Sequence, residues 1–248
     1  MKLKEASVLL VEDEPLLRET MGAWLKQKAG CWVRTAENGA EALKLLAGNK
    51  IDLIISDVRM PVMDGIALVK QLNRAGAPRP GVIFLSGFSD LSLREAYHLG
   101  IEGVLEKPIE REELLALMQR SVAEADELWR RPPGARPRMK LKARFQSLAA
   151  AQEEKRIAFG RRGFCIRSAG LREGPVEFAV DFEADRCVLA GQGVVRWTAP
   201  EEEQAGIEMA HVEDASRVWL LDLVKRTGPV SFIPRSTGME RASSLEAA

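Results

Sequence analysis

Short apolar runs separated by amphipathic stretches dominate the first half of the chain. The runs SVLLV, IDLIIS, GVIFLS and GVLE lack alternation, which is typical of strands buried on both faces of a parallel sheet. A further short strand is predicted near Cys31–Ala36. The helices predicted between the strands are Pro15–Ala29, Gly39–Ala47, Gly65–Ala75, Asp90–Leu99 and Glu110–Arg130. Five βα units in this order predict an α/β fold, a doubly wound parallel sheet with right-handed crossovers.

The pattern changes after RRPPGARPR, residues 130–138. Its prolines and glycine end the preceding helix and predict an extended linker. The runs that follow, GFCIRS, VEFAVDFEA, RCVLAGQGVVRWT and AGIEMAHV, alternate or are β-branched, which favours antiparallel strands. The stretch DASRVWLLDLVKR predicts one helix after them. We therefore expect a small antiparallel β-barrel domain with a C-terminal helix.

These patterns divide the chain into two domains. We predict a first domain over residues 1–130, a Pro/Arg-rich linker over 131–139, a second domain over 140–235 and a flexible tail over 236–248. A length of 248 residues accommodates two domains of ordinary size.

Composition narrows the setting. Lys+Arg and Asp+Glu number 36 each, so the overall charge favours neither nucleic acid nor a membrane surface. The scattered Cys31, Cys165 and Cys187 form no CxxC pair, which favours a reducing compartment. The start of the chain lacks the pattern of a signal peptide, and no apolar run approaches ~18 residues. We expect a cytoplasmic protein without membrane partners.

Polar side chains follow the predicted strands of the first domain. Glu12 and Asp13 end the first strand, Asp57 the third, Ser86 the fourth and Lys107 the fifth. An isolated aspartate at a strand end is most often a cap or a turn former. The carboxyl ends of parallel strands meet at one edge of a sheet, however, so this ordered set is expected to converge.

The converging residue types favour phosphoryl chemistry. Crowded carboxylates repel one another, and Mg²⁺ as a cofactor relieves that repulsion with oxygen ligands. Asp57 is then the nucleophile that accepts a phosphoryl group, while Lys107 and Ser86 contact phosphoryl oxygens. No further catalytic motif is found in the sequence. We therefore expect a phosphoacceptor and no other enzyme activity.

The stretches VLLVEDE, DLIISDVRMPVMDG, IFLSG and LEKPI make residues 7 to about 129 resemble the receiver domain of bacterial two-component response regulators. The resemblance implies that Asp57 is the phosphoacceptor for a histidine kinase. It implies that Glu12 and Asp13 form the acidic metal pocket with Asp57, and that the backbone carbonyl of Arg59 is a further metal ligand.

The resemblance also assigns the remaining polar residues. Ser86 would be the switch hydroxyl and Lys107 the phosphate-binding lysine, with a cis peptide before Pro108. The family often has Tyr or Phe three residues before that lysine, and its ring moves inward on activation. Here Val104 occupies this switch position, so we expect phosphorylation with a muted or different readout.

A basic cluster lies at the junction of the two predicted domains. Between residues 130 and 144 there are seven Lys or Arg residues and no acid. The cluster is either a solvated linker or a phosphate-binding collar. The candidate ligand-binding residues are Arg136, Arg138, Lys140 and Arg144.

The strand order of the second half resembles the PilZ family of cyclic di-GMP receptors, over roughly Lys140 to Thr227. That family's Arg-x-x-x-Arg motif is absent, and Lys140 with Arg144 comes nearest to it. Lysine lacks the planar fork needed for bidentate contacts. Of the family's second motif only the glycine, Gly163, remains. The resemblance therefore implies a degenerate PilZ-like domain that lacks the family's intact motifs for binding cyclic di-GMP.

Three hypotheses for the output follow. In the first, the protein is a signalling adaptor whose PilZ-like domain binds an unknown output protein, or whose phosphorylation changes a homodimer. In the second, the basic N-terminal segment of that domain binds cyclic di-GMP. In the third, the linker binds nucleic acid without sequence preference. Specific nucleic-acid recognition is not expected, because no pair of adjacent helices with a basic member is predicted in the second half.

Overall fold

A computed structural model describes residues 2–75, 80–87, 91, 95, 96, 99–130, 136–227 and 233. Contacts divide the chain into two compact units, Met1–Ala123 and Glu124–Ala248. Among the described residues, no helix combines the length and the apolar character that crossing a bilayer requires.

In its described part, the first unit contains five strands and four α-helices. The strands are β1 (Ser7–Val11), β2 (Trp32–Ala36), β3 (Leu53–Asp57), β4 (Gly81–Ser86) and β5 (Gly103–Glu106). The helices are α1 (Pro15–Lys28), α2 (Gly39–Gly48), α3 (Gly65–Arg74) and α4 (Arg111–Val122). The predicted helix over residues 90–99 lies mostly outside the described residues.

The five strands form one parallel sheet in the order β2-β1-β3-β4-β5. Successive strand residues point to opposite faces. Leu10 and Ile55 therefore join a core with α1 and α4, whereas Leu9 and Ile54 join a second core with α2 and α3. The prediction of a doubly wound sheet is confirmed. The strand order reverses between β1 and β3, which is where such sheets form their ligand crevice.

The helix predicted over Glu110–Arg130 is wrong as a single element. It ends at Val122, because Ala123 takes an extended conformation with φ −67° and ψ 147°. A separate short helix, α5 (Ala125–Trp129), follows and lies in the second unit. Trp129 is 0% exposed there, so its burial outweighs continuation of the helix. The amphipathic pattern of the two helices runs on across this break, which is why the sequence alone suggested one helix.

The second unit is rich in strands. Its strands are β6 (Met139–Phe145), β7 (Ile157–Phe159), β8 (Gly163–Arg167), β9 (Gly174–Phe182), β10 (Cys187–Ala199) and β11 (Gln204–Val212). Besides α5 it contains α6 (Leu148–Glu153) and α7 (Asp214–Thr227). The helix predicted after the strands is therefore confirmed as α7, whereas β6 and β7 were not predicted as strands.

The strand order in this sheet is β6-β9-β10-β11-β8-β7. The pairings from β9 through β7 are antiparallel, as predicted, but β6 runs parallel to β9. The sheet is therefore mixed. Between β6 and β9 the chain forms α6, β7 and β8, a connection long enough for β9 to return in the same direction as β6.

This sheet is curled. The rings of Phe164 in β8 and Phe178 in β9 have centroids 5.3 Å apart, although β10 and β11 separate these strands in the sheet. Within residues 136–227 no ladder joins the edge strands β6 and β7; the helix α6 connects them along the chain. The described residues thus form a curled sheet with β6 and β7 as its edge strands, and the predicted small antiparallel β-barrel is not confirmed.

The segment predicted as a linker, residues 131–139, lies within the second unit, and its residues 131–135 are outside the described part of the chain. The strand β6 begins at Met139. The predicted tail, residues 236–248, is also outside the described residues.

Candidate functional site

Asp57 is the last residue of β3, a strand in which every residue is buried. Apolar packing on both faces of the sheet fixes this strand, so the carboxylate is presented from a rigid base. Its Oδ1 accepts a hydrogen bond from the backbone nitrogen of Arg59 at 3.3 Å. Its Oδ2 faces Lys107. Only 11% of the Asp57 side chain is exposed.

The turn after Asp57 directs the chain away from the carboxylate. Asp64 caps α3, because its Oδ1 accepts a hydrogen bond from the backbone nitrogen of Ala67 at 2.7 Å. Gly65 follows, and a Cβ at this position would collide with the carbonyl oxygen of Asp57. Only glycine permits this close approach of the two backbone segments. The Asp-Gly pair of the sequence is thus a structural device that keeps Asp57 in place.

Lys107 joins the two carboxylates from β3 and β1. Its Nζ lies 2.6 Å from Asp57 Oδ2 and 3.2 Å from Glu12 Oε2, and its side chain is 28% exposed. The ammonium group is a compact charge that can face several oxygens at once. The peptide between Lys107 and Pro108 is cis, as the family resemblance implied.

The shared charges shift two pKa values. Burial raises the pKa of Glu12, and the charge and hydrogen bond of Lys107 offset this only in part, while the nearby charge of Asp57 raises it further. Burial acts to lower the pKa of Lys107, but the hydrogen bonds and charges of Asp57 and Glu12 together outweigh it, so that pKa is raised. The ammonium group is therefore held firmly in its charged form.

Asp13 completes an acidic cluster with Glu12 and Asp57. One carboxylate oxygen from each of the three lies within 4.8 Å of the others. Opposite ligands of Mg²⁺, at about 2.1 Å each, are separated by roughly 4.2 Å. Three carboxylates opposed by one lysine leave excess negative charge, and all the donors are hard oxygens. The residues present therefore fit a magnesium ion.

The structure places the other predicted residues as follows. Ser86 ends β4 and is 3% exposed, and its hydroxyl donates to the carbonyl of Gly87 at 2.8 Å. Arg59 lies in the turn after Asp57, with its amide directed to that carboxylate. Val104 lies in β5 beside Phe84 and packs against the core on the α2 and α3 side.

Sequence reasoning missed Arg18. Its Nη1 donates hydrogen bonds to the carbonyl oxygens of Glu12 at 2.7 Å and Asp13 at 3.1 Å. The sequence carries a signal for the direction of this side chain, but not for the backbone atoms that it contacts. Arg18 lies one turn into a helix that starts at Pro15, and long helical side chains lean back toward the helix N-terminus.

The candidate ligand-binding residues of the second unit are placed differently. Lys140 and Arg144 lie on the outer face of β6 and are 72% and 73% exposed. Lys140 Nζ lies 3.7 Å from Glu177 Oε2, and Arg144 Nε lies 3.4 Å from Asp181 Oδ2 on the neighbouring strand. The positive charge of this face is thus partly balanced by carboxylates of β9, which lie too far along the chain to be recognised as neighbours from the sequence.

Arg136 and Arg138 are exposed in the segment that precedes β6. The backbone nitrogen of Arg138 donates to the carbonyl of Pro175 at 3.1 Å, which ties the segment to the start of β9. The four predicted residues therefore follow one another along a single exposed edge of the sheet.

Comparison with known proteins agrees with this geometry. Residues 8–119 match the family model described as the response regulator receiver domain. That range contains the whole acidic cluster, Ser86 and Lys107. This part of the chain is therefore a receiver domain of two-component response regulators. Receiver domains bind Mg²⁺ at an acidic pocket, and the cluster of Glu12, Asp13 and Asp57 is that pocket's counterpart here.

Curated relatives support the same conclusion. The chain is 33% identical over 158 residues to the transcriptional regulatory protein GlrR of Escherichia coli. This alignment covers 62% of this chain and 35% of GlrR. It is 35% identical to the DNA-binding transcriptional regulator NtrC of Escherichia coli over 50% of this chain and 26% of NtrC. It is 37% identical to the positive alginate biosynthesis regulatory protein of Pseudomonas aeruginosa, over 46% of each. The chain thus spans less than half the length of each of these relatives.

Solved structures are similar over the same half of the chain. A response regulator receiver protein from Pseudomonas putida is 31% identical, with 47% of this chain and 97% of that chain covered and a TM-score of 0.42. The receiver domain of the Francisella response regulator 1452 is 29% identical, with 47% and 98% covered and a TM-score of 0.43.

Proposed function

We propose that this protein is a response regulator that accepts a phosphoryl group on Asp57 from a histidine kinase. One observation carries the proposal: the Asp57 carboxylate lies 2.6 Å from Lys107 Nζ and within one acidic cluster with Glu12 and Asp13. A structural ion pair alone does not call for two further carboxylates. That combination is what transfer of a doubly charged group requires.

The chemistry is a displacement at phosphorus. A carboxylate oxygen of Asp57 attacks the phosphorus atom of a phosphorylated histidine, and a P–O bond forms as the P–N bond breaks. The electron pair stays with the imidazole nitrogen, which takes up a proton from solvent. The Lys107 ammonium group then shifts from the carboxylate to a phosphoryl oxygen. The Ser86 hydroxyl rotates away from the carbonyl of Gly87 and donates a hydrogen bond to another phosphoryl oxygen.

Mg²⁺ belongs to this proposal as a cofactor held by Glu12, Asp13 and Asp57, with the backbone carbonyl of Arg59 as a further ligand. When bound, the ion neutralises charge on the acidic cluster and on the phosphoryl oxygens. The protein's own part is to hold Asp57 rigid at the end of β3 and to keep Lys107 charged beside it. We propose no catalytic activity beyond phosphoryl acceptance.

The test is labelling of the full chain by a small acyl phosphate in the presence of Mg²⁺. We expect Asp57→Asn to abolish the label, because the amide is not a nucleophile for phosphorus. Asp52→Asn is a matched control, since Asp52 lies before the other end of β3, where its carboxylate accepts a hydrogen bond from the backbone nitrogen of Ser7. Label that persists on the Asp57→Asn protein would overturn the assignment.

For the output we propose that the second unit acts as a PilZ-like module, either by binding a protein or by changing dimerisation upon phosphorylation. The observation behind this proposal is that one chain carries both a phosphoacceptor site and a curled sheet with two strand edges among its described residues. Strand edges are common docking sites for protein segments. Light scattering with and without a phosphoryl mimic tests the dimerisation form, which an unchanged mass would exclude.

The second candidate is binding of cyclic di-GMP by Arg136, Arg138, Lys140 and Arg144. Their alignment along one exposed edge favours it, whereas the carboxylates beside Lys140 and Arg144 compete with a phosphate. Titration calorimetry with cyclic di-GMP distinguishes the two candidates. Micromolar or tighter binding that is lost when Arg136 and Arg138 are both replaced by Ala would favour this receptor function over the adaptor.

A further inference from the structure

Glu12 and Asp13 are neighbours in sequence, yet both contribute to one cluster with Asp57. In a strand, successive side chains point to opposite faces of the sheet. The chain must therefore leave strand geometry directly after β1 so that two consecutive carboxylates face the same site. Like charges held this close also favour relaxation of the turn back toward an arrangement that separates them.

Arg18 opposes that relaxation. Its single nitrogen Nη1 contacts the carbonyl oxygens of both Glu12 and Asp13, at 2.7 Å and 3.1 Å. These carbonyls belong to the peptide groups that follow the two acids, so the contacts fix the backbone on both sides of Asp13. Arg18 itself is anchored in α1, where its backbone nitrogen donates to the carbonyl of Glu14 at 2.9 Å.

The contact is with the backbone and leaves the carboxylates free. In the structure the charge that faces the acids is that of Lys107, at 3.2 Å from Glu12 and 2.6 Å from Asp57. The two cations therefore have different partners. Lys107 contacts carboxylates of the cluster, whereas Arg18 contacts the peptide groups that follow Glu12 and Asp13. A charged donor to a carbonyl is a stronger link than a neutral one, which suits a turn under charge repulsion.

We propose that Arg18 is a positioning residue for the divalent-cation pocket. It holds the turn after β1 so that both carboxylates face Asp57 before the cation arrives. This inference rests on the proposed function, because it concerns the same pocket. It differs from a purely structural anchoring of α1, which would change the stability of the fold and leave the affinity for Mg²⁺ as it is.

The experiment compares Arg18→Met and Arg18→Lys with the unsubstituted full chain. Lys26→Met is the matched control, because it removes one exposed positive charge from the same helix. Affinity for Mg²⁺ alone is measured by titration calorimetry, and thermal unfolding is followed without Mg²⁺. We expect Arg18→Met to weaken Mg²⁺ binding about tenfold, as loss of a residue that orients metal ligands does. Arg18→Lys should recover part of the affinity, and Lys26→Met should retain it.

Labelling by acyl phosphate gives a second readout. The Mg²⁺ concentration for half-maximal labelling should rise in Arg18→Met by the same factor as the dissociation constant. The rate at saturating Mg²⁺ should return to that of the unsubstituted chain, because positioning is restored when the ion is bound.

Equal Mg²⁺ affinity in Arg18→Met and Lys26→Met would overturn the inference, and so would a loss of stability without a loss of affinity. If Arg18→Met does not fold, Arg18→Lys decides the matter on the same criterion. An unsubstituted chain that binds no Mg²⁺ and takes no label would instead overturn the proposed function, and this inference with it.

Discussion

The short helix α5 offers the sharpest test of where the second unit begins. It lies directly after the first unit, yet it packs against β11 and α7. Trp129 at its end is 0% exposed. One turn earlier, Asp126 Oδ1 lies 2.9 Å from Nε of Arg217, a nearly buried residue of α7. The Nη1 atom of the same arginine lies 2.5 Å from Asp214 Oδ1. The stability of the second unit therefore depends on residues that precede the Pro/Arg-rich segment.

The substitution that tests this dependence is Trp129→Ala in the full chain. Replacing a completely buried tryptophan by alanine costs about 3–5 kcal/mol, from lost burial and the cavity that remains. That is a large share of the roughly 5–15 kcal/mol that stabilises a domain. The indole nitrogen of Trp129 has no hydrogen-bond partner among the described residues, so Trp129→Phe should cost much less.

Hydrogen exchange in increasing urea, resolved by peptide, reports the two units separately. We expect Trp129→Ala to lower the unfolding midpoint of peptides from β9, β10 and β11, while peptides from β1 and β3 keep theirs. Trp32→Ala is the matched control, because Trp32 is 75% exposed and surface substitutions change stability by about 0.5 kcal/mol or less. If peptides from β9, β10 and β11 have the same unfolding midpoint in Trp129→Ala as in Trp32→Ala, then Trp129 does not stabilise the second unit.

Three further substitutions test the first unit. Val62 has φ 68° and is 86% exposed, so Val62→Asn should stabilise the fold by about 1 kcal/mol in urea titration by relieving left-handed strain; an unchanged midpoint would contradict this. Gly65→Ala should lower the urea midpoint because its Cβ meets the carbonyl of Asp57, whereas Gly48→Ala, with open space around it, should not. Folding raises the pKa of Glu12, so the folded state binds this proton more tightly than the unfolded state does. Without Mg²⁺, the free energy of unfolding of the unsubstituted chain should therefore fall relative to that of Glu12→Gln as the pH rises from the ordinary glutamate pKa through the raised one. Curves of stability against pH that run parallel for the two proteins would contradict this prediction.

The sequence alone determined the first unit to an unusual depth. Its strands are uninterrupted apolar runs, and a parallel sheet places all their carboxyl ends at one edge, so Asp57, Glu12, Asp13 and Lys107 were predictable as neighbours before any distance was known. The cis peptide before Pro108 followed from the family resemblance and is present. The hydrophobic periodicity and the order of strands and helices along the chain predict these features, because each element forms from a continuous segment and each crossover connection is short.

The tertiary structure decided what depends on contacts between distant residues. The break at Ala123, the parallel pairing of β6 with β9, and the carboxylates of β9 that face Lys140 and Arg144 leave no local pattern in the sequence. Arg18 lies between these cases, since its helix was predictable but its contacts with the carbonyls of Glu12 and Asp13 were not. Residue type and spacing specify which groups a chain brings to a sheet edge. The packing of the whole unit determines which backbone atoms a side chain then contacts. For this reason the acidic cluster was predictable from the sequence, whereas the contacts of Arg18 with the turn after β1 were not.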